Sequence, residues 1–359
     1  DWPALHTVLL LGHGMTYPEV RDPGSGNRST HFVPTWGVPG SDNLLMARPG
    51  HDAPMYAVGR IAARTPEEVG QYLDKIMAYE SGFGSGQTVG AQAWRKRVLH
   101  LVGGNPAEQQ SFRFLLDLMG QDFLGTAFGA QLQTVLKTST EPVQSSPSEE
   151  VIQAVNEGVV IKTFLGHGAV SATGFGLDDP SFFSHNGRYP LILSLGCLSG
   201  NVFDPQNSVS ERFVLAEESG SIGYIASSGF GYAGTLASFG RQIYTLLGGD
   251  MYGHGLGEII RTIKEGADQS ASFPVRSLVQ QLHLHADPAL RLSNLPLPDY
   301  VIDYTSTRHS PQSISSTLDS LTVSFDLMNL GRHAGDTLLL RFERVAESGG
   351  RMEWFDTVV

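Results

Sequence analysis

Cysteine is almost absent from this chain, and clusters of basic residues and long apolar runs are missing altogether. The single cysteine, Cys197, excludes an intrachain disulfide and a cysteine-rich zinc site. No apolar run approaches the ~18 residues of a transmembrane helix, so membrane insertion is not expected. Because 24 Lys and Arg stand against 36 Asp and Glu without any basic cluster, a nucleic-acid partner is not expected either.

The patterns that are present predict an α/β fold. Apolar runs alternate with helical stretches at residues 65–80, where Thr65, Pro66 and Glu68 form a capping box, and at residues 108–119. Residues 159–165 and 190–195 are apolar almost throughout, which is typical of strands buried on both faces of a parallel sheet. We therefore predict an open, mostly parallel sheet with helices on both sides.

The character of the chain changes after residue 296. Residues 321–327 and 338–345 alternate apolar and polar side chains with a period of two. This alternation predicts an antiparallel β-sandwich domain that begins here and is truncated by the end of the chain.

Two reactive side chains follow the two buried strands. His167 comes two residues after the run 159–165, and Cys197 comes two residues after the run 190–195. Because parallel neighbours end at the same edge of a sheet, a thiol nucleophile and its acid or base would lie side by side there. The backbone N–H groups of Gly168 and Cys197 could then hold an oxyanion. The alternative for Cys197 is a small buried apolar residue, the usual place of a lone free cysteine.

Other histidines and one glycine-rich motif offer rival sites. Gly-His-Gly recurs at His13 and at His254, so the triplet alone is a weak signal. His283 and His285 have the spacing of metal ligands, but without a third ligand a strand surface is the favoured interpretation. Residues 229–234 match a dinucleotide fingerprint, yet the acidic residue expected ~20 positions later is missing. We therefore predict that this loop forms a wall of a substrate cleft.

Taken together and in this order, the residues resemble the gingipain family of cysteine peptidases, family C25 of the caspase-like clan. The resemblance covers nearly all of residues 1–293. The motifs that carry it are Val33-Pro34-Thr35-Trp36, Ala57-Val58-Gly59-Arg60, Leu165-Gly166-His167-Gly168, Gly196-Cys197-Leu198-Ser199-Gly200, Ala226-Ser227-Ser228 and Asp287-Pro288-Ala289-Leu290.

This resemblance implies a domain organisation. Two caspase-like α/β subdomains would cover residues 1–88 and 89–293, the second being catalytic, and an immunoglobulin-like β domain would begin at residue 297. It also implies a location on the outer-membrane surface or outside a Bacteroidota-type bacterium, after export by the type IX secretion machinery. Calcium is implied by the resemblance alone, since no loop has a calcium-binding pattern, and we predict no cofactor or metal.

The resemblance also implies the roles of the site residues. His167 is the catalytic acid and base, Cys197 is the nucleophile, and Ser227, Ser228, Phe230 and Tyr232 would line the pocket for the substrate residue before the scissile bond. The acidic residue that family members often place after the preceding strand is replaced here by Gly103-Gly104-Asn105, and Glu108 is the nearest candidate to bind substrate or orient the histidine. Specificity for a basic substrate residue before the scissile bond is therefore not carried over from the family.

The sequence thus predicts a cysteine endopeptidase that acts on proteins or peptides. Two alternatives stay open. A sortase of the same secretion system would pass the acyl group to an amine, and a catalytically silent surface scaffold would retain the fold alone.

Overall fold

The computed structural model describes residues 5–22, 24, 31–83, 88–144, 148–292, 295–313, 320–335, 337–345 and 351–358. The strands are β1 (Thr7–Leu11), β2 (Ala57–Ile61), β3 (Arg97–Val102), β4 (Gln131–Leu136), β5 (Ile161–Leu165), β6 (Leu191–Leu195), β7 (Gly223–Ser227), β8 (Leu282–His285), β9 (Tyr300–Ser310), β10 (Thr322–Asn329), β11 (Leu339–Val345) and β12 (Arg351–Val358). The helices are α1 (Tyr17–Arg21), α2 (Asp42–Leu45), α3 (Pro66–Ser81), α4 (Val89–Gln92), α5 (Pro106–Phe123), α6 (Glu149–Glu157), α7 (Val209–Leu215), α8 (Ala233–Gly248), α9 (Leu256–Gly266) and α10 (Phe273–Gln281), with single turns at Ala93–Lys96 and Pro180–Phe182.

The central sheet confirms the predicted α/β architecture. Its six strands have the order β4-β3-β5-β6-β7-β8, and all neighbours are parallel except β8, which runs antiparallel to β7. Every residue of β5, β6 and β7 is buried, as continuous apolar runs require. Helices cover both faces, since consecutive residues of β5 contact different helices: Lys162 lies over Phe213 of α7, and Thr163 bonds Tyr244 of α8.

Capping residues fix where the main helices begin. Thr65 and Glu68 cap α3 reciprocally, which confirms the predicted capping box. Helix α5 begins at Pro106, two residues before the predicted start, because Asn105 caps it. The Asn105 Oδ1 atom accepts from the Ala107 and Glu108 amides at 2.9 and 3.3 Å. The carboxylate of Glu108 in turn accepts from the Asn105 amide at 2.9 Å.

A smaller parallel pair, β1 with β2, lies beside β8, the strand at one edge of the central sheet. Its close approach needs glycine at position 59, where an added Cβ would lie 2.2 Å from the Ala286 carbonyl oxygen. Asn43, on α2 between β1 and β2, joins this part of the chain to α10 and β8. Its Nδ2 donates to the carbonyls of Gln280 and Leu282 at 2.9 Å each. The predicted subdomain boundary at residue 88 stays a prediction, and residues 84–87 lie outside the described part of the chain.

The C-terminal region is antiparallel, as the alternating pattern predicts. Strands β9 and β10 form one pair and β11 and β12 another. The rings of Phe325 on β10 and Phe342 on β11 lie 5.8 Å apart and join the two pairs. Two antiparallel pairs in ring contact indicate the predicted β-sandwich only in part, and an immunoglobulin-like domain stays a prediction. The region is attached to the central domain by Lys96, whose Nζ donates to the Gly331 carbonyl at 2.5 Å.

Within the described residues, no helix has both the length and the apolar character needed to cross a bilayer.

Candidate active site

His167 and Cys197 lie at the same edge of the central sheet. Strands β5 and β6 are parallel neighbours with Leu165 opposite Leu195, and each reactive residue follows its strand by two positions. The two loops approach closely at Gly168, where an added Cβ would lie 2.7 Å from the Cys197 carbonyl oxygen and 3.3 Å from its nitrogen. A side chain at position 168 would therefore push the two loops apart.

Glu108 lies against His167. The His167 Nε2 atom is 3.0 Å from one carboxylate oxygen of Glu108 and 3.1 Å from the other. The Asn105 amide, and then His167, lower the pKa of Glu108, so the carboxylate is ionised at neutral pH. An ionised carboxylate accepts from Nε2–H, which leaves Nδ1 as the ring nitrogen free to exchange a proton. Glu108 is not among the residues that line the cleft beside Cys197.

The backbone around Cys197 is held in an uncommon conformation. Leu198, the next residue, has a φ of 60°, in the left-handed region that L-residues rarely adopt. Hydrogen bonds hold this turn, because the Leu198 amide donates to Gly229 at 3.0 Å and the Gly200 amide donates to Ser227 at 3.0 Å. The turn leaves the Cys197 thiol partly exposed, with its Sγ 3.5 Å from the Gly231 nitrogen.

Two amides beside the thiol are available to a ligand. The N–H groups of Gly168 and Cys197 donate to no acceptor found among the described residues, although the neighbouring amides of Ala169 and Leu198 are bonded. Free N–H groups beside a nucleophile are what an oxyanion hole requires.

A cleft of about 700 Å³ opens directly from Cys197. Ser228, Phe230 and Tyr232, three of the residues expected to bind substrate, line it. Ser227 does not line it, since it is buried in β7, where its Oγ accepts from the Gly229 amide at 3.2 Å. Residues 229–232 of the predicted loop therefore form a wall of the cleft beside the thiol, whereas residues 233 and 234 belong to α8.

Three segments that line this cleft escaped the sequence analysis. They are residues 16–18, the loop 37–40, and helix α10 through Phe273, Ser277 and Gln281. None of them contains a catalytic motif, and all three are far from Cys197 in the sequence. A local pattern therefore had no means of finding them.

His283 supports the cleft from behind, and His285 lies next to it on β8. We expected them on a strand surface, and this expectation is half wrong, since they lie on β8 but are both buried. Burial lowers the pKa of His283 to about 3, so it is neutral and its Nε2, 3.1 Å from the Ser228 Oγ, bonds that hydroxyl. Ser228 in turn donates to the Gly40 carbonyl at 2.9 Å. No group of three His, Cys, Asp or Glu in the described ranges is arranged to hold a metal.

Comparison with known proteins decides the family. A family model described as "Peptidase family C25" matches residues 1–293. The chain belongs to peptidase family C25. This membership makes it a cysteine peptidase by family, with proteins or peptides as its class of substrate. No curated protein sequence matches the chain.

Solved structures agree with the C25 fold. The Arg-specific cysteine proteinase gingipain R (RgpB) superposes with a TM-score of 0.59 at 15% identity, over 90% of this chain and 71% of that one. A complex of the Porphyromonas gingivalis RgpB pro- and mature domains superposes with a TM-score of 0.62 at 14% identity, over 100% and 78% of the two chains. At 14–15% sequence identity, this structural similarity shows that the fold is shared and nothing beyond the fold.

Proposed function

We propose that this chain is a cysteine endopeptidase in which Cys197 is the nucleophile and His167 is the acid and base. The observation that carries the proposal is the convergence, at one sheet edge, of a partly exposed thiol, a carboxylate-bound imidazole and two unbonded amides. Family C25 membership supplies the reaction class. Together these features match the requirements of acyl transfer through a thioester.

The proposed reaction has two steps. The Cys197 thiolate attacks the scissile carbonyl carbon, and the amides of Gly168 and Cys197 hold the oxyanion of the tetrahedral intermediate. His167 then gives its proton to the leaving amine as the C–N bond breaks, which leaves a thioester. In the second step His167 takes a proton from water, the resulting hydroxide attacks the thioester, and the acid product leaves as the thiolate is restored.

The proposed setting is the outer-membrane surface or the exterior of a Bacteroidota-type bacterium. Its support is the family, since gingipain-like peptidases are secreted or attached to the cell surface. Export by the type IX machinery belongs to the same proposal.

Cleavage of a mixed-sequence peptide library, followed by mass spectrometry, tests the function directly. We expect the wild type to cleave and Cys197→Ala to show no turnover. His167→Ala should lose about 10²–10⁴-fold in rate, the usual contribution of a positioned acid or base. Ser238→Ala, an exposed residue on α8, is the matched control.

Three outcomes separate the alternatives. Cleavage by Cys197→Ala at the wild-type rate would contradict the assignment of the nucleophile. Products that carry an added amine, when one is supplied, would reassign the enzyme to transpeptidation as in a sortase. A Cys197 that reacts with iodoacetamide no faster than an ordinary thiol of pKa ~8.5, together with no cleavage, would indicate a silent scaffold.

A further inference from the structure

The cleft beside Cys197 gathers an unusual share of exposed apolar side chains. Val38 is 76% exposed, Phe230 75%, Phe273 71%, Tyr232 59% and Tyr17 44%, and all five line this one cleft. Exposed apolar side chains are normally scattered singly over a protein surface. Several large ones around one concave surface therefore mark a binding site for an apolar ligand. They come from four separate segments of the chain, so the tertiary fold has assembled this surface.

Charge is absent from the lining. None of the described residues that line the cleft is acidic or basic. Three of its polar side chains form hydrogen bonds. The Ser228 hydroxyl is bonded to the Gly40 carbonyl and to His283, and the Gln281 amide nitrogen donates to Ser277 at 2.8 Å. The Gln281 side-chain oxygen is buried and has no hydrogen-bond partner among the described residues, so it adds a neutral acceptor to the wall and no charge. A cationic or anionic side chain placed here would lose water and gain no counter-charge.

The cleft is also directly adjacent to the Cys197 sulfur atom. The Gly231 nitrogen and carbonyl oxygen lie 3.5 and 3.8 Å from the Cys197 Sγ. Phe230 and Tyr232, on either side of Gly231, project into the lining. The substrate residue that becomes attached to this sulfur is the one before the scissile bond, P1. Its side chain is the one that the cleft can hold throughout the acyl-enzyme stage.

We propose that the cleft is a pocket for a large uncharged apolar P1 side chain, such as Phe, Tyr or Leu. This inference rests on the proposed endopeptidase function and goes further by assigning its substrate class. Phe230 and Tyr232 are the specificity-determining residues, and Phe273 completes the apolar rim. Specificity for a basic P1 residue is excluded by the uncharged lining.

The test uses one fluorogenic peptide sequence in which only the P1 residue is varied among Phe, Leu, Arg, Lys and Asp. We expect kcat/KM for Phe or Leu to exceed that for Arg, Lys and Asp by at least about tenfold. Phe230→Ala and Tyr232→Ala should each remove much of this preference. Leu73→Ala, an exposed apolar residue on α3, should leave it unchanged.

A charge-insertion variant tests the electrostatic part. Ser277→Asp puts a carboxylate on the cleft wall, and we expect the ratio of kcat/KM for Arg over Phe to rise about tenfold or more. Ser238→Asp adds the same charge on the exposed side of α8 and should not change the ratio. Far-ultraviolet circular dichroism confirms that each variant is folded.

The failure of this inference is distinguishable from the failure of the proposed function. Efficient cleavage after Arg, Lys or Asp would overturn the apolar pocket and leave the peptidase intact. Peptidyl acyloxymethyl ketones with P1 Phe or Arg give the second readout, through the mass added to Cys197. Faster labelling by the Arg probe would contradict the inference. No cleavage of any peptide and no labelling by either probe would contradict both proposals.

Discussion

At the scale of single residues, the contact of Glu108 with His167 sets the tautomer of the histidine. The His167 side chain is 66% exposed and the Glu108 side chain is 33% exposed, so water screens their attraction. In the reaction that we propose, the carboxylate contributes mainly by orientation: it holds the ring through Nε2 and leaves Nδ1 to exchange the proton. Phe112, whose ring meets that of His167 edge-on at 6.1 Å, limits rotation further.

Replacing Glu108 by Gln tests this orienting role. The amide can no longer select the tautomer as an anion does, and we expect kcat to fall by roughly tenfold to a hundredfold with little change in KM. Asp117→Asn, an exposed carboxylate on the same helix, is the matched control and should retain full activity. An unchanged kcat in Glu108→Gln would remove Glu108 from the site.

At the scale of secondary-structure elements, two helices share one type of N-terminal cap but differ in what lies next to that cap. Both α3 and α5 begin with a capping box and a proline in the first turn. Only in α5 does the first turn contact a residue of the proposed active site, because Glu108 is both the third residue of the cap and the partner of His167. We therefore propose that the cap of α5 places Glu108 against the histidine as well as stabilising the helix.

A pair of cap substitutions separates the stabilisation of a helix from the placement of Glu108. Asn105→Ala and Thr65→Ala should each cost about 1 kcal/mol in the free energy of unfolding, measured by urea titration. We expect Asn105→Ala alone to lower kcat/KM, because the first turn of α5 holds Glu108. Equal activity losses in the two variants would show that the effect is one of general stability.

At the scale of the whole molecule, the buried carboxyl group of Glu211 joins the β1–β2 pair to helix α7 of the central domain. Arg64, which follows β2, lies 3.0 Å from the Glu211 carboxylate on α7, and His13 after β1 lies 3.4 Å from it. Burial raises the pKa of Glu211 to about 7, although Arg64 opposes the shift. Burial also lowers the pKa of His13 to about 3, so His13 is neutral in this contact.

The raised pKa of Glu211 predicts a pH dependence of stability. Because the folded protein binds this proton more tightly than the unfolded chain does, the contribution is fully present below the ordinary value of 4.5 and is lost as pH rises through about 7. Between pH 5 and pH 8, wild type should lose on the order of 1–3 kcal/mol more stability than Glu211→Gln does. Thermal unfolding at the two pH values measures it.

Comparison with a variant isolates this carboxyl group. Burial lowers the pKa of Lys75 and of Lys264 to about 7 each, and their effect on stability has the opposite sign. Both lysines are present in the wild type and in Glu211→Gln, so their effects cancel. Glu150→Gln, an exposed residue on α6, should follow the wild-type curve, and parallel curves for Glu211→Gln and wild type would contradict the assignment.

The sequence by itself determined the elements and the pair of reactive residues. Continuous apolar runs predicted β5 and β6, because a strand buried on both faces has no polar side to show. The spacing of 30 residues from His167 to Cys197 leaves room for the crossover that parallel neighbours need, which predicted the common edge for the two residues. Local rules suffice here, since each signal lies within a few residues of the feature that it predicts.

Only the tertiary structure decided what surrounds the thiol. The cleft needs the loop 37–40, the loop after β7 and helix α10, which are separated by up to ~240 positions and meet through contacts such as that of Ser228 with Gly40. Likewise, the family resemblance offered Glu108 as a candidate to bind substrate or to orient the histidine, and only the structure shows its carboxylate against His167 and away from the cleft. Side-chain periodicity predicts which face of an element is buried, but the partner that buries it is fixed by packing of the whole chain.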